Sequence, residues 1–105
     1  MTSIDLIYSV ATAALTDFAT VELEKQVIPA NGSAQTAAAV TITIDSNNDT
    51  AAKRKVQGTR TMTITLSTPV WIGAGDAFCI YLLISAAATS VLKLFGARAY
   101  FTKRL

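Results

Sequence analysis

Thr61-Met-Thr-Ile-Thr-Leu66 alternates polar and apolar residues without a break, and Val40-Thr-Ile-Thr-Ile44 does the same. A period of two sends successive side chains to opposite faces of an extended chain, so each run predicts a strand with one buried face. Phe78-Cys-Ile-Tyr-Leu-Leu-Ile84 alternates less purely and predicts a third. Upstream, Ile4, Leu6, Tyr8 and Val10 alternate with Ser3, Asp5, Ile7 and Ser9. Residues 1–10 therefore read as a first strand, either at a sheet edge or as a pairing arm. Asp17 to Leu23 follows as a strand. Regular structure then breaks at Val27-Ile-Pro-Ala-Asn-Gly-Ser33, because Pro29 lacks a backbone donor and Asn31-Gly32 favours a turn. Ala37 to Asp45 predicts a strand, Asp45-Ser-Asn-Asn-Asp49 a turn, and Ala51 to Gln57 a short basic strand. Thr59 to Ser67 is the clearest strand. Gly73-Ala-Gly75-Asp76 predicts a tight turn into Ala77 to Ser85, and Val91 to Thr102 closes the chain as a strand or strand pair, with a bulge or a close contact at Gly96. Seven to eight short strands at this spacing predict an all-β fold, an antiparallel β-sandwich.

The 105 residues suffice for one domain, 1–105, and leave no room for a second core. Their apolar fraction of 51% exceeds what a lone small domain needs, so subunits or a membrane must take up the excess. Eighteen Ala and fifteen Thr dominate the composition. Most of the Thr falls on the polar side of the alternating runs, where it makes a strand face without charge that suits contact with another protein. The net charge of +2 conceals a division. Asp5, Asp17, Glu22, Glu24, Asp45 and Asp49 face only Lys25 in the first half. The second half sets eight bases against Asp76. Such asymmetry marks a nucleic-acid or membrane patch, complementary surfaces on neighbouring subunits, or simply two halves of one sandwich that attract each other or carry solvated charge. RNA-binding modules pair their bases with exposed aromatics in an RNP-like run, which the sequence lacks, so no direct nucleic-acid partner is expected.

The chemistry-bearing residues are few. Histidine is missing, and with it the commonest general base and metal ligand. Cys79 stands alone in an apolar strand, which predicts a small core residue rather than a disulfide or an activated nucleophile. Zinc would need further Cys or His ligands. Asp45, Asn47 and Asp49 occupy the first, third and fifth positions of a calcium loop, but Thr50 replaces the glycine and Val56 the final Glu. An Asx turn fits better. Gly73 and Gly75 precede a strand with no Lys-Ser/Thr, so they read as a corner and not as a phosphate loop. Glu22 and Glu24 share a strand face and would act as a glycosidase pair only across a cleft. No set of residues competent for catalysis emerges, and no cofactor is expected. Ala77 to Leu92 runs sixteen residues without a charge, short of the roughly 20 that span a bilayer. No membrane partner is expected. Trp71, Tyr81, Tyr100 and Phe101 offer either a glycan-stacking surface or ordinary core and interface packing. Met-Thr-Ser-Ile-Asp5 does not resemble a secretory signal, so assembly in a host cytoplasm is expected.

Trp71-Ile-Gly-Ala-Gly-Asp-Ala-Phe-Cys-Ile-Tyr-Leu-Leu-Ile-Ser85, followed by Ser90-Val-Leu-Lys-Leu-Phe-Gly-Ala-Arg-Ala-Tyr-Phe-Thr-Lys-Arg-Leu105, resembles the end of small jelly-roll modules of bacteriophage virions. Those modules include head decoration (cement) proteins and tail-fibre knobs. The likeness covers about a third of the chain and implies a jelly-roll-like sandwich that assembles as a dimer or trimer. It further implies a structural role at the capsid surface, with the major capsid protein or another virion protein as partner. A receptor- or glycan-binding fibre knob is the alternative. The expected contact residues are Ile4, Leu6 and Tyr8 in the arm, and the bases Lys53, Arg54, Lys55, Arg98, Lys103 and Arg104, which would meet an acidic shell.

Overall fold

The computed structural model describes residues 1–27, 29–32, 36–86 and 89–102. Among these, the chain forms strands β1 (Ser3–Ala11), β2 (Asp17–Val27), β3 (Thr36–Val40), β4 (Ile42–Ile44), β5 (Gly58–Leu66), β6 (Asp76–Ser85) and β7 (Val91–Tyr100). A single helical turn, α1 (Ala51–Arg54), lies between β4 and β5. The strands make two antiparallel sheets, ordered β4-β5-β1-β7 and β3-β2-β6, an all-β sandwich as the alternating runs predict. The chain changes sheet after β1, after β3, after β5 and after β6. The crossing from β3 to β4 takes one residue, Thr41, so a single extended run serves both sheets. Val40 and Ile42 on either side of it pack into the core.

The core forms where the inward residues of the two sheets meet. Leu6, Tyr8 and Val10 of β1, Phe18 of β2, Met62 and Ile64 of β5 and the loop residue Leu15 make one buried cluster. Met1, Ile4, Leu23 and Leu66 make a second toward the opposite end. The Tyr8 and Phe18 rings meet at 5.6 Å between centroids and tilted by 58°, a geometry that aligns a ring edge with a ring face.

Three expectations need correction. β1 is neither an arm nor an edge: it pairs with β5 from Ser3↔Thr65 to Val10↔Gly58 and with β7 from Ser3↔Tyr100 to Ala11↔Val91. Alternation determines which side chains point inward but carries no information about lateral neighbours. Residues 51–54 of the expected basic strand are helical, because Thr50 caps Ala51–Arg54: its Oγ1 accepts from Lys53 N at 3.3 Å. Cys79 is exposed. It lies on the outer face of β6 with Tyr81 and Leu83, while Phe78, Ile80, Leu82 and Ile84 face the core. The uncharged stretch 77–92 supplies β6 and the start of β7; no helix among the described residues is long and apolar enough to cross a membrane.

The bulge expected at Gly96 is present. Ile7 pairs with Gly96 and Tyr8 with Leu94, leaving Phe95 without an opposite residue. Gly96 has φ +148 there, and Gly75 has φ +83 in the turn before β6. Both values lie where a Cβ is strained.

Candidate interaction surfaces

The residues expected to bind a partner divide by burial. Ile4, Leu6 and Tyr8 belong to the chain's own core, Tyr8 with 0% exposure, so they cannot also cover a second molecule. Arg54 is buried as well. Its Nε and Nη2 donate to Phe18 O at 3.2 and 2.9 Å, Nη2 also to Ala19 O at 3.1 Å, and Nη1 to Asn48 O at 3.0 Å. The guanidinium also sits 5.5 Å from the Phe18 ring centre. Arg54 thus clasps α1 and the preceding turn to the start of β2, and its charge is spent on backbone carbonyls. Beside it, the Tyr8 hydroxyl donates to Arg54 O at 3.2 Å, and burial pushes its pKa up.

Lys53 is exposed and already engaged, donating to Ser46 O at 2.6 Å and to Asp49 Oδ1 at 2.7 Å. That bond holds the Asp49 carboxyl below its usual range. Lys55 is half-buried, and its carbonyl accepts from Leu15 N at 2.9 Å. Arg98, on the outer face of β7, pairs with Asp5 at 3.4 Å and remains largely exposed. Lys103 and Arg104 lie outside the described residues. Asp5 is the centre of the outer face of the four-stranded sheet. Its carboxylate accepts from Thr63 Oγ1 at 2.8 Å and from the Tyr100 hydroxyl at 2.8 Å. Those two bonds, with Arg98 adding to them, lower its pKa, and the same carboxylate raises that of Tyr100.

The Asp45–Asp49 segment is a hydrogen-bonded turn. Asp45 accepts from Asn47 N at 3.2 Å, from Asn48 Nδ2 at 3.0 Å and from Thr63 N at 2.9 Å, so its lone pairs hold protein donors. The Gly73–Asp76 segment is a corner. Gly73 N donates to Asp76 Oδ2 at 2.8 Å, which lowers the Asp76 pKa, and Lys25 pairs with the same carboxylate at 3.0 Å. Glu22 and Glu24 lie side by side on the outer face of β2, opposite Tyr81 and Cys79, with no cleft between them. Among the described residues no group of three Cys, Asp or Glu side chains is placed to hold a metal ion.

Exposed apolar residues were the signal that charge and alternation did not reveal. The most exposed of them fall in two places. At the end of the sandwich where β1 and β6 begin and β5 and β7 finish, Trp71 is 62% exposed, Ile72 44% and Phe101 60%. Trp71 lines a recess of about 250 Å³ with Met1, Thr2, Pro69, Val70 and Thr102. Lys25 Nζ donates to Trp71 O at 3.1 Å and ties this loop to β2. The other place is the side where β6 and β7 are the outermost strands, with Tyr81, Leu83, Leu94 and Phe95 exposed. Tyr81 and Tyr100 lie on outer faces of different sheets, so the four aromatics named from sequence do not form one stacking platform. Compared with family models, with curated proteins and with solved structures, the chain matches none.

Proposed function

We propose that this chain is a structural protein of the virion, a decoration protein that seats on a phage head lattice through its Trp71 end. The observation carrying this reading is the exposed apolar group at one end of a small sandwich, Trp71, Ile72 and Phe101, beside a recess whose wall is held by the paired backbones of Met1 and Val70. Large aromatics on a rigid loop supply contact area at low entropic cost, and aromatic anchors dominate protein interfaces. Each attachment is modest, and many copies across a repeating lattice add up. Mixing the purified chain with undecorated shells tests it: the wild type should co-sediment with the shells, and Trp71→Ser with Phe101→Ser should lose most of that occupancy. Equal occupancy by the double variant overturns the choice of surface.

The same end supports a second reading. An exposed indole beside a recess suits stacking on a sugar ring, as in a fibre knob that reads surface glycans. Binding of the isolated domain to cells or immobilised glycans, with indifference to shells, would favour the knob over the decoration protein.

A further inference from the structure

β7 overhangs its sandwich. Its residues Leu92, Leu94, Ala97 and Ala99 lie opposite Val10, Tyr8, Leu6 and Ile4, all of which face the core, so they point into the space between the sheets. Yet Leu94 is 57% exposed, and Ala97 and Ala99 are exposed too. The reason is a difference of one strand: four strands, β4-β5-β1-β7, face three, β3-β2-β6, so among the described residues no strand lies beneath β7. Among the described residues no strand pairs with the outer side of β6 in the smaller sheet. β6 carries neither Lys, Arg nor Pro, the residues that normally protect an edge from pairing.

We infer that a second copy of this chain fills that position, its β7 pairing with β6 and its β6 with β7. The strand directions decide the geometry. β3 runs on into β4, β4 is antiparallel to β5, and β5 is antiparallel to β1, so β1, β3 and β4 point one way. β6 shares that direction, because both it and β3 oppose β2; β7 opposes β1 and runs the other way. A two-fold axis parallel to the strands, set beneath β7, turns the partner over and brings its β7 beside β6. Both new ladders are then antiparallel, and both strands are ten residues long. The sandwich becomes two continuous seven-stranded sheets, and Leu94, Ala97 and Ala99 of each copy face their counterparts. A two-fold axis perpendicular to the sheets would pair β6 with β6 but drive the partner's larger sheet into β7. An interface about 33 Å long, the length of ten extended residues, and as thick as the molecule's shortest extent of 20 Å, approaches the ~800 Å² per partner of a stable dimer.

Charge favours the same arrangement. Lys93 and Arg98 point outward on β7, and Glu22 and Glu24 point outward on β2. In the joined sheet the partner's β6 separates them, a distance of roughly 10 Å, which is within about one Debye length. The division of charge between the halves of the chain thereby becomes complementary across the contact. The dimer requires no shell. It is compatible with one, since an axis along the strands points both Trp71 ends in one direction.

Sedimentation equilibrium of the purified chain tests the dimer apart from any shell. The wild type should be dimeric at micromolar concentration, and Leu94→Asp should weaken association by roughly a hundredfold with an unchanged circular dichroism spectrum, since it buries an unpaired charge only in the dimer. A monomeric wild type overturns the inference, as does a dimer indifferent to Leu94→Asp. Oxidative cross-linking provides the second measurement. Cys79 and Arg98 lie toward the same end of their strands, so Arg98→Cys should form a covalent dimer through Cys79, and Lys93→Cys, near the other end of β7, should not. Cross-links that persist when Cys79 is replaced by Ser, or a preference for the Lys93→Cys variant, overturn the pairing.

Discussion

Replacing Arg54 with Ala removes the clasp that joins α1 to the start of β2. Four hydrogen bonds disappear, and Phe18 O, Ala19 O and Asn48 O lose a charged donor. A hydrogen bond to a charged group contributes about 1.5–3 kcal/mol net, and water entering the vacated space restores part of that. The loss of the cation over the Phe18 ring acts in the same direction. Together these put the cost at roughly 3–5 kcal/mol, a large share of the ~5–15 kcal/mol that stabilises a domain of this size. Urea unfolding at fixed protein concentration reads it directly, since a midpoint shift of about 2 M corresponds to that range at an ordinary m-value. Arg54→Lys should fall between, because an ammonium cannot fork two parallel bonds to one carbonyl. Lys53→Ala, one residue away but in an exposed ion pair, should change stability by less than about 1 kcal/mol. If Arg54→Ala and Lys53→Ala shifted the midpoint equally, Arg54 would be a surface base and the clasp would be wrong.

Asp5 has a folded pKa below its ordinary 3.8, so its contribution to stability is present above that value and disappears as pH falls through the lowered one. Asp5→Asn should therefore be less stable than wild type at neutral pH, and thermal melts should show the gap closing in acid; a gap that widens below pH 3.8 would contradict the assignment. Gly96→Val should cost at least about 1 kcal/mol, because φ +148 suits glycine and a β-branched residue there is strained. A neutral result in chemical denaturation would mean the bulge is free to relax. Cys79 should react with a maleimide in the native protein at nearly the rate seen in urea, as its exposure requires. Protection by two orders of magnitude would return it to the core.

The strands were legible because the physics that forms them is local. Thr59 to Ser67 reads as a strand from its period alone, and β5 occupies Gly58–Leu66. The phase of β6 was not legible: Cys79, Tyr81 and Leu83 are as apolar as Phe78, Ile80 and Leu82, so nothing in the run says which set faces inward. The neighbouring strand decides it, since Tyr81 and Cys79 oppose Glu22 and Glu24. The α1 turn carried a sequence sign, Thr50 before Ala51-Ala52, which the basic residues after it obscured. Arg54 was misassigned because a surface charge and a buried one look alike in sequence. Only the fold brings three carbonyls from residues 18, 19 and 48 around it.

β1 is hydrogen-bonded on both sides, and on one of them Ser3 waits for Tyr100. A ribosome adding roughly 5–20 residues each second needs on the order of ten seconds to make that strand after the first has emerged. During this interval the centre of the larger sheet has one open flank, and its apolar Ile4, Leu6 and Tyr8 have no finished interior to enter. Translation speed and chaperone supply should therefore govern the yield of this protein more strongly than its final stability does, as expected for a topology whose central strand is made early and completed late.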